Sequence, residues 1–151
     1  MQHYRHILAP IDFSARSNDV IKRALELAEA HDARLTLLHV VQDVPIGAEP
    51  FGEPSGLILS EELREQHLAS TEKKMHELTE QYKLPISVDR AIEEGISTPT
   101  TILDFATEKQ VDLIVIAHSG KKGLLGFLGS TADSIVKSAN CDVLVLRNKP
   151  A

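Results

Sequence analysis

A chain of 151 residues with 42% apolar and 25% charged residues has the balance of one water-soluble globular domain, and it excludes a low-hydrophobicity disordered chain. At that length, folding buries about 68–70% of the unfolded surface. A formal net charge of −6 speaks against a nucleic-acid surface, and a single cysteine, Cys141, excludes an internal disulfide and fits a reducing compartment. No apolar run approaches the length of a membrane span, and the amino-terminal MQHYRHILAPIDF reaches Pro10 and Asp12 too soon for a signal peptide. The expected location is the cytoplasm, with no nucleic-acid and no membrane partner.

In chain order, the first expected strand is His6 to Ile11, followed by Asp12-Phe13-Ser14. Pro10 is tolerated near its end because only a terminal ladder bond is forfeited. Val20, Ile21, Ala24, Leu25, Leu27 and Ala28 recur at helical spacing and predict a helix from about Ser17 to His31. Arg34 to Val41, with its LTLLHVV run, reads as a buried central strand. Residues 42–56 carry three prolines and three glycines without periodicity, and they are expected to form a loop that is the least ordered part of the chain. Leu68, Thr71, Met75, Leu78 and Tyr82 then mark one stripe of a charged amphipathic helix, from about Ser60 to Tyr82.

Pro85 stops that helix. Residues Ile86 to Ile92 alternate apolar and polar, as expected of a strand at a sheet edge. Glu93 and Glu94 then read as a surface pair flanking a turn over 95–99. Thr98 is the expected N-cap, with Pro99 opening a helix that turns Ile102, Leu103 and Ala106 inward. Leu113 to Ala117 is a short, β-branched apolar run of the kind buried on both faces. After it comes a loop with glycine at every third position, Gly120, Gly123, Gly126 and Gly129. Ser130 and Thr131 are capping residues for a helix with Ala132, Ile135, Val136 and Ala139 on one face. Val143 to Leu146 forms the last strand.

This β-α-β-α-β-α-β-α-β order predicts one α/β domain over 1–151: a Rossmann-like, doubly wound, five-stranded parallel sheet of strand order 3-2-1-4-5. Ligands of such sheets bind beyond the carboxyl ends of the strands, where the order reverses. There Asp12, the exit of the second strand at His39-Val40-Val41 and the glycine loop would line one crevice. A glycine-rich loop running into a helix N-terminus gathers backbone N–H groups and a partial positive charge, which suits phosphate. The GxxxxGK[ST] motif is absent from the sequence, and no GxGxxG follows the first strand, so this is neither an ordinary P-loop NTPase nor a dinucleotide dehydrogenase. The seven histidines lack metal-ligand spacing, and His39 within an apolar strand reads as a hydrogen-bonded core residue.

The segments HILAPIDFS, LTLLHVV and AHSGKKGLLGFLGSTADSIVKSANCDVLVLR together resemble the universal stress protein family, nucleotide-binding type, over nearly the whole chain in the expected order, most weakly over residues 42–85. The family's ATP signature is Gly-x2-Gly-x9-Gly-Ser/Thr. Ala117 stands here in place of the first glycine, and eight residues rather than nine separate Gly120 from Gly129. The resemblance implies ATP or a related adenine nucleotide as ligand, with Mg²⁺ as an optional companion. Pro10, Ile11, Asp12 and Val40 would border adenine and ribose, with Ala117 and His118 opening the phosphate loop and Gly120, Gly129, Ser130 and Thr131 holding phosphates. It implies a regulatory module rather than an enzyme, and a homodimer paired through the last strand. The alternatives are a slow ATPase or phosphotransfer enzyme, with Asp12 and His118 as the candidate groups, and a dimeric stress protein that binds no nucleotide.

Overall fold

The computed structural model describes residues 3–42, 55–118 and 130–147, excluding the side chains of 55–60 and of Ser130. Five strands, β1 (His6–Pro10), β2 (Arg34–Gln42), β3 (Asp89–Gly95), β4 (Leu113–Ala117) and β5 (Asp142–Leu146), alternate with four helices, α1 (Ala15–His31), α2 (Ser55–Gln81), α3 (Thr98–Glu108) and α4 (Ser130–Ser138). The sheet is parallel throughout, in the expected order β3-β2-β1-β4-β5.

Alternation along the central strands divides the core in two. Ile7, Ala9, Leu35, Leu37, Leu113 and Val115 face α1 and α2, meeting Val20, Ile21, Ala24, Met75 and Leu78. Leu8, Leu38, Val40, Ile114 and Ile116 face α3 and α4, meeting Ile102, Phe105, Ala106, Ala132 and Ile135. Each fully buried leucine or isoleucine contributes about 1.5–3 kcal/mol, so strands buried on both faces are the most heavily stabilised part of the molecule. His6 is the polar exception within β1. Its ring is buried, with Nδ1 3.1 Å from the Lys109 carbonyl and Nε2 2.8 Å from the Thr36 hydroxyl.

Five local expectations are corrected. The β3 strand begins at Asp89 rather than Ile86, because the Val88 N–H donates to the Pro85 carbonyl (3.0 Å) and closes a turn that leaves Ile86 97% exposed. Glu93 and Glu94 consequently lie within β3, on its two faces, and Glu94 pairs with Arg64 of α2. The N-cap of α3 is Ser97, whose hydroxyl accepts from the Thr100 N–H at 3.4 Å; Thr98 is already helical, and Pro99 fits the first turn because its missing N–H has no partner to lose there. In α4, Ala132 and Ile135 are buried while Val136 is 45% exposed, so the inward stripe is narrower than the spacing implied. The α2 helix starts at Ser55 rather than Ser60, which takes Ser55 and Gly56 out of the expected loop; residues 43–54 of that loop lie outside the described residues.

Candidate crevice at the carboxyl ends of the strands

The register aligns the ends of four strands along one rim. Pro10 pairs with Leu38, and the same offset sets Ile11 level with His39 and Asp12 level with Val40. The Ile11 N–H donates to the Leu38 carbonyl at 2.8 Å, extending the ladder past the end of β1. On the other side, β1 meets β4 at Ile7↔Leu113 and Leu8↔Ile114, an offset that sets Ile11 level with Ala117. Ala117 in turn pairs with Leu146 of β5, and the His118 N–H donates to the Leu146 carbonyl at 2.9 Å. Pro10, Ile11, Asp12, Val40, Ala117 and His118 therefore share the rim at the β1–β4 switch point. Thr131 lies half-buried in the first turn of α4, and Ser130 is that helix's first residue. Gly120 and Gly129 lie outside the described residues, as do Lys121 and Lys122.

Local chemistry fixes the carboxylate of Asp12. One oxygen, Oδ1, accepts both the Ser14 N–H and the Ser17 hydroxyl at 2.9 Å, while the Ser17 oxygen accepts the Asp12 N–H at 3.0 Å. Burial opposes ionisation of this group, but the hydrogen bonds from Ser14 and Ser17 outweigh it and hold the carboxyl below its ordinary value. Asp12 is thus an anion at neutral pH, with Oδ1 taking the two short bonds and the Ser14 hydroxyl also favouring the charged form. Ser14 is the N-cap of α1 without a side-chain cap bond, since the chain turns through Asp12 instead. Between them, Phe13 adopts a left-handed φ of 63°, and its ring rests against His39 with centroids 4.6 Å apart. His39 Nδ1 lies 2.8 Å from the Ile11 carbonyl, so this half-buried imidazole is hydrogen-bonded as its setting in an apolar strand implied.

Three contributors to the rim went unassigned at the level of sequence: Ser17, which steadies Asp12; Phe13, which lines the strand exit; and Arg16, whose Nη2 donates to the Leu146 carbonyl at 3.1 Å. Asp-x-Ser directly ahead of a helix is a side-chain-to-backbone turn signal that marks the Asp12–Ser14 bond, but it does not reach Ser17 in the first turn of α1. Arg16 carried no signal. A cavity of about 220 Å³ lies elsewhere, between α3 and the end of α4, lined by Leu103, Val111, Ile114 and Cys141 among others. Among the described residues no three His, Cys, Asp or Glu side chains cluster as a metal site would require.

A profile described as the universal stress protein family matches residues 3–147. The chain belongs to the universal stress protein family. With it comes that family's general role in stress response. Universal stress protein A homolog 1 of Coxiella burnetii is 33% identical over 144 residues, covering 95% of this chain and 96% of the relative. Universal stress protein MJ0531 of Methanocaldococcus jannaschii is 34% identical over 145 residues, covering 95% and 82%. Among solved structures, the universal stress protein UspA from Lactobacillus plantarum superposes with a TM-score of 0.80 at 28% identity, covering 97% of this chain and all of that one. The likeness to each of these universal stress proteins extends over nearly the full length of this chain, α2 included.

Proposed function

We propose that this universal stress protein binds ATP or a related adenine nucleotide in the crevice at the β1–β4 switch point, and acts as a regulatory module rather than an enzyme. The observation that carries this reading is the alignment of Asp12 with Val40 and of Ile11 with Ala117 on one rim, ahead of the helix α4 that begins at Ser130. Val40 and Pro10 supply an apolar wall for adenine, with the Ile11 backbone at its edge while the Ile11 side chain packs on the other face of the sheet. Asp12, ionised at the rim, accepts a ribose hydroxyl or an adenine N–H. Phosphates belong at Gly129-Ser130-Thr131, where the N-terminus of α4 adds partial positive charge. Where Mg²⁺ accompanies them, Asp12 holds it through water. A second copy pairs along β5, an edge of the sheet.

Titration calorimetry with ATP on the intact protein and on Gly129→Val tests the site. Binding to the intact protein that disappears in the variant is the expected result, because valine blocks the backbone's approach to the phosphates. Ser130→Ala is expected to be milder, about 0.5–1.5 kcal/mol for one neutral hydrogen bond. Equal heats from both proteins, or none from either, retire this site.

A further inference from the structure

Arg16 stands in the first turn of α1, half-buried, and its guanidinium crosses to the end of β5. There one Nη2 hydrogen donates to the Leu146 carbonyl at 3.1 Å. That carbonyl also accepts the His118 N–H, so the cation lies beside the point where β4 ends. The Nε–H of the same side chain is buried and makes no hydrogen bond among the described residues. No carboxylate pairs with Arg16 among the described residues, whose ion pairs lie at Arg34–Asp89, Arg64–Glu94, His76–Glu80 and Lys137–Asp133.

A carbonyl accepts a hydrogen bond but does not neutralise charge, and a partly desolvated guanidinium with an idle N–H is unfavourable until an anion meets it. Arginine carries five donors in a planar fork suited to two oxygens of one phosphate. Among the described residues, one of those donors is engaged. Arg34 and Arg64 take carboxylates across β2–β3 and α2–β3, whereas Arg16 holds a backbone carbonyl at the crevice and has a buried Nε–H.

Resting on the nucleotide reading above, we infer that Arg16 is the residue that reads the charge of the ligand's phosphate chain. Anchored at one corner by Leu146, it turns its remaining donors to a phosphate oxygen and makes the crevice prefer nucleotides over the uncharged nucleoside. It does not contact adenine. Its loss therefore affects phosphate-bearing ligands selectively, which a bracing role for β5 alone would not produce.

Calorimetry with ATP and with adenosine, on the unsubstituted protein, Arg16→Met and Arg16→Lys, decides it. The expected result is an ATP affinity lowered about tenfold or more in Arg16→Met, as for loss of a charge-assisted bond, with adenosine changed less than about twofold. Arg16→Lys is expected to recover part of the loss, since it keeps the charge but not the fork. Equal weakening of ATP and adenosine would reduce Arg16 to a brace of β5. A change in oligomeric state with no change in the ATP-to-adenosine ratio would assign its counterion to a second copy. Either outcome overturns the inference while leaving the nucleotide site standing. Absence of heat with both ligands on the unsubstituted protein removes the site and the inference together.

Discussion

The ring of His6 joins Thr36 in β2 to the end of α3, with Nε2 2.8 Å from the Thr36 hydroxyl and Nδ1 3.1 Å from the Lys109 carbonyl. A carbonyl only accepts, so Nδ1 carries the proton and Nε2 accepts from Thr36; the ring is neutral in this arrangement. Burial pushes its pKa below the usual 6.5, and Arg34 adds to the effect against Lys109, Asp89 and Asp112, which oppose it. A lowered folded-state value means that the unfolded chain binds the proton more readily. Stability from this group is complete above about pH 6.5 and is lost as pH falls from there through the folded-state pKa. Urea melts at pH 7.5 and 5.5 should show lower stability at the acid value, and His6→Gln should shrink that difference while costing about 1–3 kcal/mol at pH 7.5. An undiminished pH dependence in the variant would place the titration elsewhere.

Gly95 closes β3 against α3 with no room to spare. A Cβ built there falls 1.9 Å from the Thr101 Oγ1 and 3.1 Å from its Cβ, and that hydroxyl is held by a 2.8 Å bond to the Ser97 carbonyl. Gly95→Ala is expected to destabilise by about 1–3 kcal/mol through overpacking. Thr101→Ala removes the nearest atom, so the double variant should lose less than the sum of the two single changes. Strict additivity in denaturant melts would mean that the clash is relieved in some other way.

The sheet was legible because β4 and β5 are unbroken apolar runs and the stripes of α1 and α2 keep helical spacing. The beginning of β3 was not, because Ile86 and Val88 alternate like a strand while the Pro85 carbonyl captures the Val88 N–H. Nothing in a local pattern distinguishes those two fates of one N–H. At the crevice, Asp12, Val40 and Ala117 were legible as strand ends that a parallel sheet must align. Arg16 was not, since its bond joins residues 130 apart in the chain and depends on how α1 lies across the end of β5. The inward stripe of α4 was overdrawn at Val136 because a short helix beside an edge strand has less core to face than the spacing suggests.

Ser17 is nearly fully buried and both accepts from the Asp12 N–H and donates to the Asp12 carboxylate. Ser17→Ala strips one stabilising hydrogen bond from the carboxylate and leaves the Asp12 N–H unpaired. It is expected to cost about 1–3 kcal/mol and to raise the Asp12 pKa from its lowered position. A carboxyl lowered on folding contributes stability that is present above its ordinary value of 3.8 and is lost as pH falls through the folded-state pKa. Acid denaturation of the variant should therefore lose part of that limb. Carbon-detected NMR of the Asp12 carboxyl through an acid titration reads the shift directly; an unchanged midpoint would show that Ser14 alone sets it.

The outer edge of β5 carries the expectation of a dimer, and its backbone phase says how to test it. The Leu146 carbonyl accepts from His118, so the Leu146 backbone groups point towards β4. Alternation along a strand then turns those of Val143 and Val145 outward, away from β4. Both residues are only half-buried at the edge of the sheet. Two copies pairing antiparallel about a two-fold axis would satisfy these outward groups reciprocally. Val145→Pro removes one outward amide without touching the β4–β5 ladder, and proline is tolerated at a sheet edge, so the subunit should still fold. Light scattering at about 50 µM, where a modest interface persists, is expected to give a dimer for the unsubstituted protein and a monomer for the variant, with unchanged far-ultraviolet circular dichroism. A monomeric unsubstituted protein at that concentration, or a variant that stays dimeric, would remove β5 as the pairing edge.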